Sequence, residues 1–214
     1  LSLGLANIAL YLQPNNNSAL QVKGDLLVDR ELAEQALMAY EAIDGSDSEE
    51  YTADYARAQA LIVLDRLVEA QQSLEDLAAR NTERWAALEL LANLLRSEDK
   101  FEESIEVYKR AEQRFIAAGG PSAAQWRFYY TYAIAHDQLD QWPEAEALFK
   151  KSLELKPDEA NVMNYLAYSW VDRGFEEQYQ PALTMLEKAV ELRPNSGFIV
   201  DSLAWVQFKL GMFE

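Results

Sequence analysis

The chain has 214 residues, of which 50% are hydrophobic, and its 36 acidic and 19 basic residues give a formal net charge of −17. This acidity argues against a nucleic-acid backbone or an anionic membrane surface as partner, because Lys and Arg side chains must neutralise phosphates there. The lack of cysteine excludes disulfides, thiolate metal sites and cysteine nucleophiles, and no apolar run reaches the ~20 residues of a membrane span.

Amphipathic segments that stop at a proline recur along the chain. LSLGLANIALYLQ precedes Pro14, AEALFKKSLELK precedes Pro157, and PALTMLEKAVELR precedes Pro194. Proline cannot continue a helix, and Lys156 and Arg193 place positive charge in the last turn, where the helix dipole favours it. The pattern predicts three helices that end just before these prolines.

A second kind of segment lies upstream of the last two of these and recurs elsewhere in the chain. It has an apolar, apolar, small and bulky frame at positions 4, 7, 8 and 11 from its start. This spacing keeps the four residues on one face of a helix. The frame is carried by Leu88, Leu91, Ala92 and Leu95; Tyr129, Tyr132, Ala133 and His136; Met163, Leu166, Ala167 and Trp170; and, at its start, Val200, Leu203 and Ala204.

The two kinds of segment alternate with a period near 34 residues, and this arrangement resembles the tetratricopeptide repeat, a helix–turn–helix unit of that length. The resemblance implies an all-α fold, a right-handed α-solenoid of stacked antiparallel helix pairs (the tetratricopeptide superhelix) with about 12 helices. The predicted repeat starts are Asn17, Tyr51, Trp85, Trp126, Ala160 and Gly197. One array over 1–214 then consists of a partial repeat at 1–16, full repeats at 17–50, 51–84, 85–125, 126–159 and 160–196, and a last first helix at 197–214.

Two repeats are longer than 34 residues. The 41-residue unit has seven extra residues near RFIAAGGPSA, which predicts a long second helix that ends at Gly119–Gly120. The 37-residue unit has three extra residues around FEEQYQ, before Pro181 in the first turn of the next helix. Neither end of the chain has the polar cap that a solenoid needs, so we expect a piece of a longer protein.

Catalytic and metal-binding motifs are weak. The single histidine, His136, falls at a packing position, and no G-x-S-x-G elbow accompanies it. DGSDSEEY offers Asp44, Ser46 and Ser48 at alternate positions, but Glu49 stands where a calcium loop requires glycine, so we interpret it as an acidic turn with Asp47 or Ser48 capping the next helix. We therefore predict no catalytic residue, no metal site and no cofactor.

The resemblance also implies a partner-binding groove, because in tetratricopeptide arrays positions 2, 5, 9, 12 and 13 of the first helices line the concave surface. The residues at these positions that are expected to face the groove include Gln59, Ile62, Glu89, Ile134, Asp137, Val171, Asp201 and Phe208. The predicted binding residues are Tyr55, Asn93, Arg96, Arg127, Tyr130, Asn161, Asn164, Tyr168, Asp172, Phe198 and Trp205. Position 5 contains no Lys, which argues against a chaperone-type clamp for a terminal carboxylate. For Trp205 and Phe208, packing under a continuation of the array is the alternative.

These features predict a non-catalytic scaffold or adaptor that binds a protein or peptide. NYLAYSWVDRG and GFIVDSLAW resemble segments of proteobacterial tetratricopeptide proteins, some of which act in envelope assembly or as protease adaptors, so the resemblance slightly favours the periplasm or outer membrane over the cytoplasm. Two alternatives remain open: a recruiting or regulatory region of a larger enzyme, and an architectural array that forms oligomers through its exposed ends.

Overall fold

The structure is a computed structural model that describes residues 2–44 and 47–212. Within them it has twelve α-helices and two short 3-10 helices. They form two compact units, 1–120 and 121–214, and each unit is described by itself. Ser46 of the acidic turn and the side chain of Asp47 lie outside the described residues.

The first unit contains seven helices, and within it each helix packs against the next along the chain. Their bounds are α1 Leu3–Leu12, α2 Asn17–Val28, α3 Ala33–Glu41, α4 Asp47–Val63, α5 Leu67–Arg80, α6 Ala86–Ser97 and α7 Phe101–Ala117. With 17 residues, α7 is the long second helix that the sequence predicts, and Gly119 and Gly120 follow it with φ of 119° and 89°.

The second unit contains five helices and the two 3-10 turns. Their bounds are Ala123–Gln125 (3-10), α8 Trp126–Asp137, α9 Trp142–Leu155, α10 Ala160–Asp172, Glu176–Gln178 (3-10), α11 Tyr179–Leu192 and α12 Gly197–Lys209. Sequential helices pack together, and α10 also packs against α12. The predicted insertion before Pro181 is the 3-10 turn, and Pro181 lies in the first turn of α11.

One turn geometry ends the first helix of every predicted repeat. The residue fourteen positions after each repeat start has a positive φ, and the next amide donates to the carbonyl five residues back, which is the Schellman arrangement. The left-handed residues are Glu31, Asp65, Asp99, Asp140, Gly174 and Gly211. They are 34, 34, 41, 34 and 37 residues apart, the same intervals that separate the predicted repeat starts.

Small residues allow the close helix contacts. Ala92, Ala133 and Ala167 at position 8 are 0% exposed, and Ser104 Oγ at position 20 donates to the Ala92 carbonyl at 2.8 Å. Ala204 was expected at the same packing position but is exposed. The reason is that no helix follows α12 within the described residues to cover it.

His136 is a packing residue, as predicted. Its side chain is 6% exposed, its Nδ1 lies 2.7 Å from Gln141 Oε1, and its ring lies 5.0 Å from that of Tyr132. Within 2–44 and 47–212 no group of three His, Asp or Glu side chains is placed to hold a metal ion.

Candidate partner-binding surface

The candidate surface lies on α10, whose two faces have different compositions. Pro157 and Asp158 form the turn before the helix, and Gly174 ends it in the left-handed conformation. One face is buried and consists of Ala160, Val162, Met163, Leu166, Ala167, Ser169, Trp170 and Val171. The other carries Asn164, Tyr168 and Asp172, which follow one another at intervals of four residues and so form one line along the helix. We call these three residues the α10 row.

The α10 row borders an open cavity of about 380 Å³ between α10 and the end of α8. We call this cavity the α10 cleft. Its lining residues are Asp137, Asp140, Asn164, Tyr165, Tyr168, Ser169, Asp172 and Arg173. The lining is mostly polar and contains three carboxylates against one guanidinium.

One wall of the α10 cleft is held by a hydrogen-bonded network. Tyr165 donates its hydroxyl to Asp137 Oδ2 at 2.8 Å, and Arg173 donates to Asp137 Oδ1 at 2.8 Å. Arg173 also reaches Asp140 at 3.3 Å, and its guanidinium lies 4.9 Å from the centre of the Trp142 ring. Because these contacts connect the end of α8 to both ends of the cleft face of α10, the wall is fixed before any partner arrives.

Two pKa shifts follow from this network. Burial, followed by the hydrogen bond to the Asp137 carboxylate, raises the pKa of Tyr165 well above its ordinary value. Burial alone would lower the pKa of Arg173, but Asp137 and Asp140 outweigh it and raise that pKa. Tyr165 is therefore a neutral hydrogen-bond donor and Arg173 a permanent cation, each committed to an internal acceptor.

The α10 row, in contrast, has polar groups that the described residues leave without a partner. Asn164 Oδ1 is shielded from solvent and accepts no hydrogen bond. Tyr168 is 43% exposed, and Asp172 is exposed, with neither side chain in an ion pair or hydrogen bond to a described residue. A shielded acceptor without a donor costs roughly 1–3 kcal/mol, so it favours a ligand that supplies the donor.

Exposed aromatic side chains continue the candidate surface on α12. Phe198, Trp205 and Phe208 are 56%, 37% and 56% exposed. The Trp205 and Phe208 rings stack with centroids 5.6 Å apart, and Lys209 Nζ lies 4.7 Å from the Trp205 ring. Since α12 packs against α10, the α10 row and this aromatic face belong to neighbouring helices.

Three other predicted residues of the second unit have internal contacts. Tyr130 is half-buried, 6.1 Å from the Tyr165 ring and 6.0 Å from the Phe149 ring. Arg127 is exposed, with its guanidinium 5.2 Å from the Trp126 ring. Asn161 Oδ1 accepts from Arg193 at 3.2 Å, so this amide oxygen is already used.

The predicted residues of the first unit are mostly committed to packing. Asn93 donates to the Glu89 carbonyl at 2.9 Å and accepts from the Tyr108 hydroxyl at 2.8 Å, so both ends of its amide are occupied. Tyr55 is half-buried and stacks on Tyr51 at 6.3 Å. Arg96 is half-buried, with its Nε shielded from solvent and without a partner among the described residues.

Val171 was expected to face the groove, and this is wrong. Its side chain is 1% exposed and belongs to the hydrophobic cluster around Trp142, Phe149 and Trp170. Val171 is adjacent to Trp170 in α10, and the cluster covers a wide enough part of the helix surface to bury both side chains.

Sequence reasoning missed the network of Asp137, Tyr165 and Arg173. It did not assign an acceptor to the Arg173 guanidinium. The available signal was the 36-residue separation of Asp137 and Arg173, which is one repeat plus two residues and places opposite charges on adjacent repeats.

Comparisons with known proteins agree with this fold. Residues 83–158 match the family model described as tetratricopeptide repeat, and no curated protein matches the chain. The chain is similar in structure to a chain of the APC/C hetero-tetramer Cut9–Hcn1, with TM-score 0.71 and 15% identity over 95% of this chain and 38% of that one. It thus spans well under half of that protein.

Two shorter solved structures are matched over nearly their whole length. YrrB, described as a tetratricopeptide-repeat protein with an unusual peptide-binding site, has TM-score 0.65 and 17% identity over 94% of this chain and 98% of that one. A MamA fragment from Desulfovibrio magneticus RS-1 has TM-score 0.66 and 17% identity over 85% and 97%. At these identities the likeness concerns the fold.

The helix order, the repeated turn and these likenesses define an all-α helical-repeat protein of the solenoid class. Residues 83–158 are identified as tetratricopeptide repeats, and the all-α helical-repeat fold class predicted from the sequence is confirmed. None of the described helices is long and apolar enough to cross a membrane.

Proposed function

We propose that this chain is a non-catalytic scaffold that binds a polypeptide partner through the α10 cleft and the exposed aromatic face of α12. The observation that carries this proposal is the α10 row, three polar side chains in one line that have no partner among the described residues. Elsewhere on the predicted groove, internal contacts occupy Asn93 and Asn161.

The residue types support a protein partner. Tyr and Trp contribute large contact areas at low conformational-entropy cost and are enriched in interface cores, while an unpaired amide and carboxylate supply orientation. The description of YrrB as having a peptide-binding site adds support by analogy of fold. The net charge of −17 continues to argue against a nucleic acid.

The experiment compares partner capture by the wild-type chain, Tyr168→Ala and Leu192→Ala, with bound proteins identified by mass spectrometry. Leu192 is a matched control, because it is 42% exposed against 43% for Tyr168 but lies on the second helix α11. We expect Tyr168→Ala to lose proteins that wild type and Leu192→Ala both retain. Identical capture by all three would remove the α10 cleft as the binding surface.

Narrower roles remain within this proposal: envelope assembly, protease adaptation, or recruitment for a catalytic domain elsewhere in a longer chain. The identity of the captured protein separates them. Capture of an envelope component supports envelope assembly, and capture of a protease supports protease adaptation. The reading frame on either side of these residues tests recruitment for a catalytic domain.

Self-association is a second candidate, and a specific observation favours it. On α1, the side chains of Leu5, Ile8 and Leu12 are 55%, 58% and 78% exposed and share one face. Light scattering over a range of concentrations tests this candidate. A mass that stays at that of one chain at the highest concentration rejects it.

A further inference from the structure

We infer that the α10 cleft takes a positively charged side chain, Arg or Lys, from an extended segment of the partner. This inference rests on the proposed function and adds the chemical class of the ligand. It is carried by the charge of the cleft, by the unpaired acceptors along α10 and by the position of Asp172 in its helix.

The charges of the cleft are unbalanced. Asp137, Asp140 and Asp172 contribute three negative charges to its lining, and Arg173 contributes one positive charge. Arg173 donates from its two terminal nitrogens to Asp137 at 2.8 Å and to Asp140 at 3.3 Å, and it lies over the Trp142 ring. An anionic ligand therefore finds only a cation that is already paired with two carboxylates, whereas a cationic one meets surplus carboxylate.

The cleft lining contains two unpaired acceptors. Asn164 Oδ1 accepts no hydrogen bond, and the Asp172 carboxylate is exposed without an ion pair to a described residue. A guanidinium carries five N–H donors and an ammonium three, and neither has an acceptor. Tyr168, between the two acceptors on the helix, offers an exposed ring face over which a cation is attracted within roughly 6 Å.

Asp172 also lies where its own helix disfavours a negative charge. It is the last residue of α10, and the C-terminal end of a helix carries partial negative charge that repels a carboxylate. Asp137 is likewise the last residue of α8, but Arg173 compensates it. Asp172 has no such compensation among the described residues, and a cation from a partner would supply it.

The probe is a library of random peptides with blocked ends, screened against the whole chain at physiological salt. Peptides that bind wild type are then measured with three variants: Asp172→Asn, Tyr168→Ala and Glu187→Gln. Glu187→Gln is the matched charge control, because Glu187 is exposed on α11 and the substitution lowers the negative charge by the same amount.

We expect the selected peptides to contain Arg or Lys. Asp172→Asn should raise their Kd about fivefold, in line with loss of one partly exposed ion pair. Glu187→Gln should leave Kd within about twofold. Equal weakening by Asp172→Asn and Glu187→Gln would overturn the inference, since diffuse attraction to an acidic surface would then explain the binding.

The remaining outcomes separate the inference from the proposed function. If the peptides weakened by Tyr168→Ala contain no basic residue, even if they are acidic, the inference of a cationic ligand is overturned. The proposed binding of a polypeptide is then retained. If no selected peptide is weakened by Tyr168→Ala, both proposals fail together.

Thermal unfolding gives an independent readout. Removing an uncompensated charge from the end of α10 should raise the stability of Asp172→Asn, so that Tm rises while peptide affinity falls. A fall in both would mean that Asp172 holds the structure of α10, and the assignment of its carboxylate to a ligand would be withdrawn.

Discussion

The hydroxyl of Tyr108 donates a hydrogen bond to Asn93 Oδ1 at 2.8 Å, and Tyr40 makes the same contact with Asp25 Oδ1 at 2.9 Å. Both pairs are 15 residues apart and occupy positions 9 and 24 of their predicted repeats. In the repeat that begins at Trp126 these positions hold Ile134 and Phe149, which belong to one hydrophobic cluster. In these three repeats, positions 9 and 24 thus form either a polar or an apolar pair.

We predict that Tyr108→Phe lowers the free energy of unfolding by about 1–2 kcal/mol, because Asn93 Oδ1 loses its donor inside the first unit. Adding Asn93→Ile, which copies the apolar pair, should recover part of this loss. Urea unfolding of both single variants and the double variant measures the coupling. Simple additivity of the two single effects would contradict the paired arrangement.

The Arg173 network should stabilise the second unit more than an exposed ion pair stabilises the first. The side chains of Arg173 and Asp137 are 27% and 13% exposed, whereas those of Arg110 and Glu75, which pair at 2.9 Å, are 44% and 43% exposed. We expect Arg173→Ala to cost about 1–3 kcal/mol and Arg110→Ala under about 1 kcal/mol, because solvent screens the second pair. Chemical unfolding of the two variants measures the difference, and a larger loss for Arg110→Ala would refute it.

At the left-handed turn residues, we expect substitution by glycine and substitution by alanine to change the free energy of unfolding in opposite directions. Glu31 has φ of 61°, in a region that costs a side-chain-bearing residue about 1–2 kcal/mol, so Glu31→Gly should raise the free energy of unfolding by up to about 1 kcal/mol. Gly174 has φ of 75°, and Gly174→Ala should lower it by about 1 kcal/mol. Effects of the same sign in the two variants would be inconsistent with a shared turn geometry.

Gly24 should not tolerate a methyl group. A Cβ at this residue would overlap the ring of Tyr40, which is 4% exposed and fixed by Asp25. Gly24→Ala is therefore expected to cost about 1–3 kcal/mol through overpacking. Gly197→Ala is the control, since a Cβ at that helical residue meets nothing within 4 Å and should be close to neutral. Comparable Tm values for Gly24→Ala and wild type would disprove the contact.

Alkaline pH should destabilise the chain through its buried tyrosines. Burial is the first cause that raises the pKa of Tyr40, Tyr55 and Tyr165, followed by Asp25, Glu89 and Asp137 respectively. Each folded-state pKa lies above the unfolded value of about 10, so the contribution is complete below about pH 10 and is lost as pH rises further. Urea unfolding across this range should show the decline, with a smaller one for Tyr165→Phe. Identical pH profiles for that variant and wild type would exclude Tyr165 as a contributor.

The sequence predicted the helices and packing positions because the repeat imposes them. Ala92, Ala133 and Ala167 are buried at the same position of three repeats, as their spacing requires. It predicted much less of the surface, since position alone does not say whether a polar side chain is already used. Asn93 and Asn164 were both assigned to the groove, yet Asn93 binds Tyr108 while Asn164 Oδ1 stays unpaired. That difference depends on which side chain of the repeat's second helix lies opposite each Asn side chain.

Each left-handed turn lies fourteen residues after its predicted repeat start, whether the repeat has 34, 37 or 41 residues. All added length therefore follows the turn, in α7 with the segment after it and in the 3-10 turn at Glu176–Gln178. For protein engineering, this identifies permissive sites: a fluorophore or an affinity tag inserted at Gly119–Gly120 or Glu176–Gln178 extends stretches that already vary in length and leaves the first helices intact.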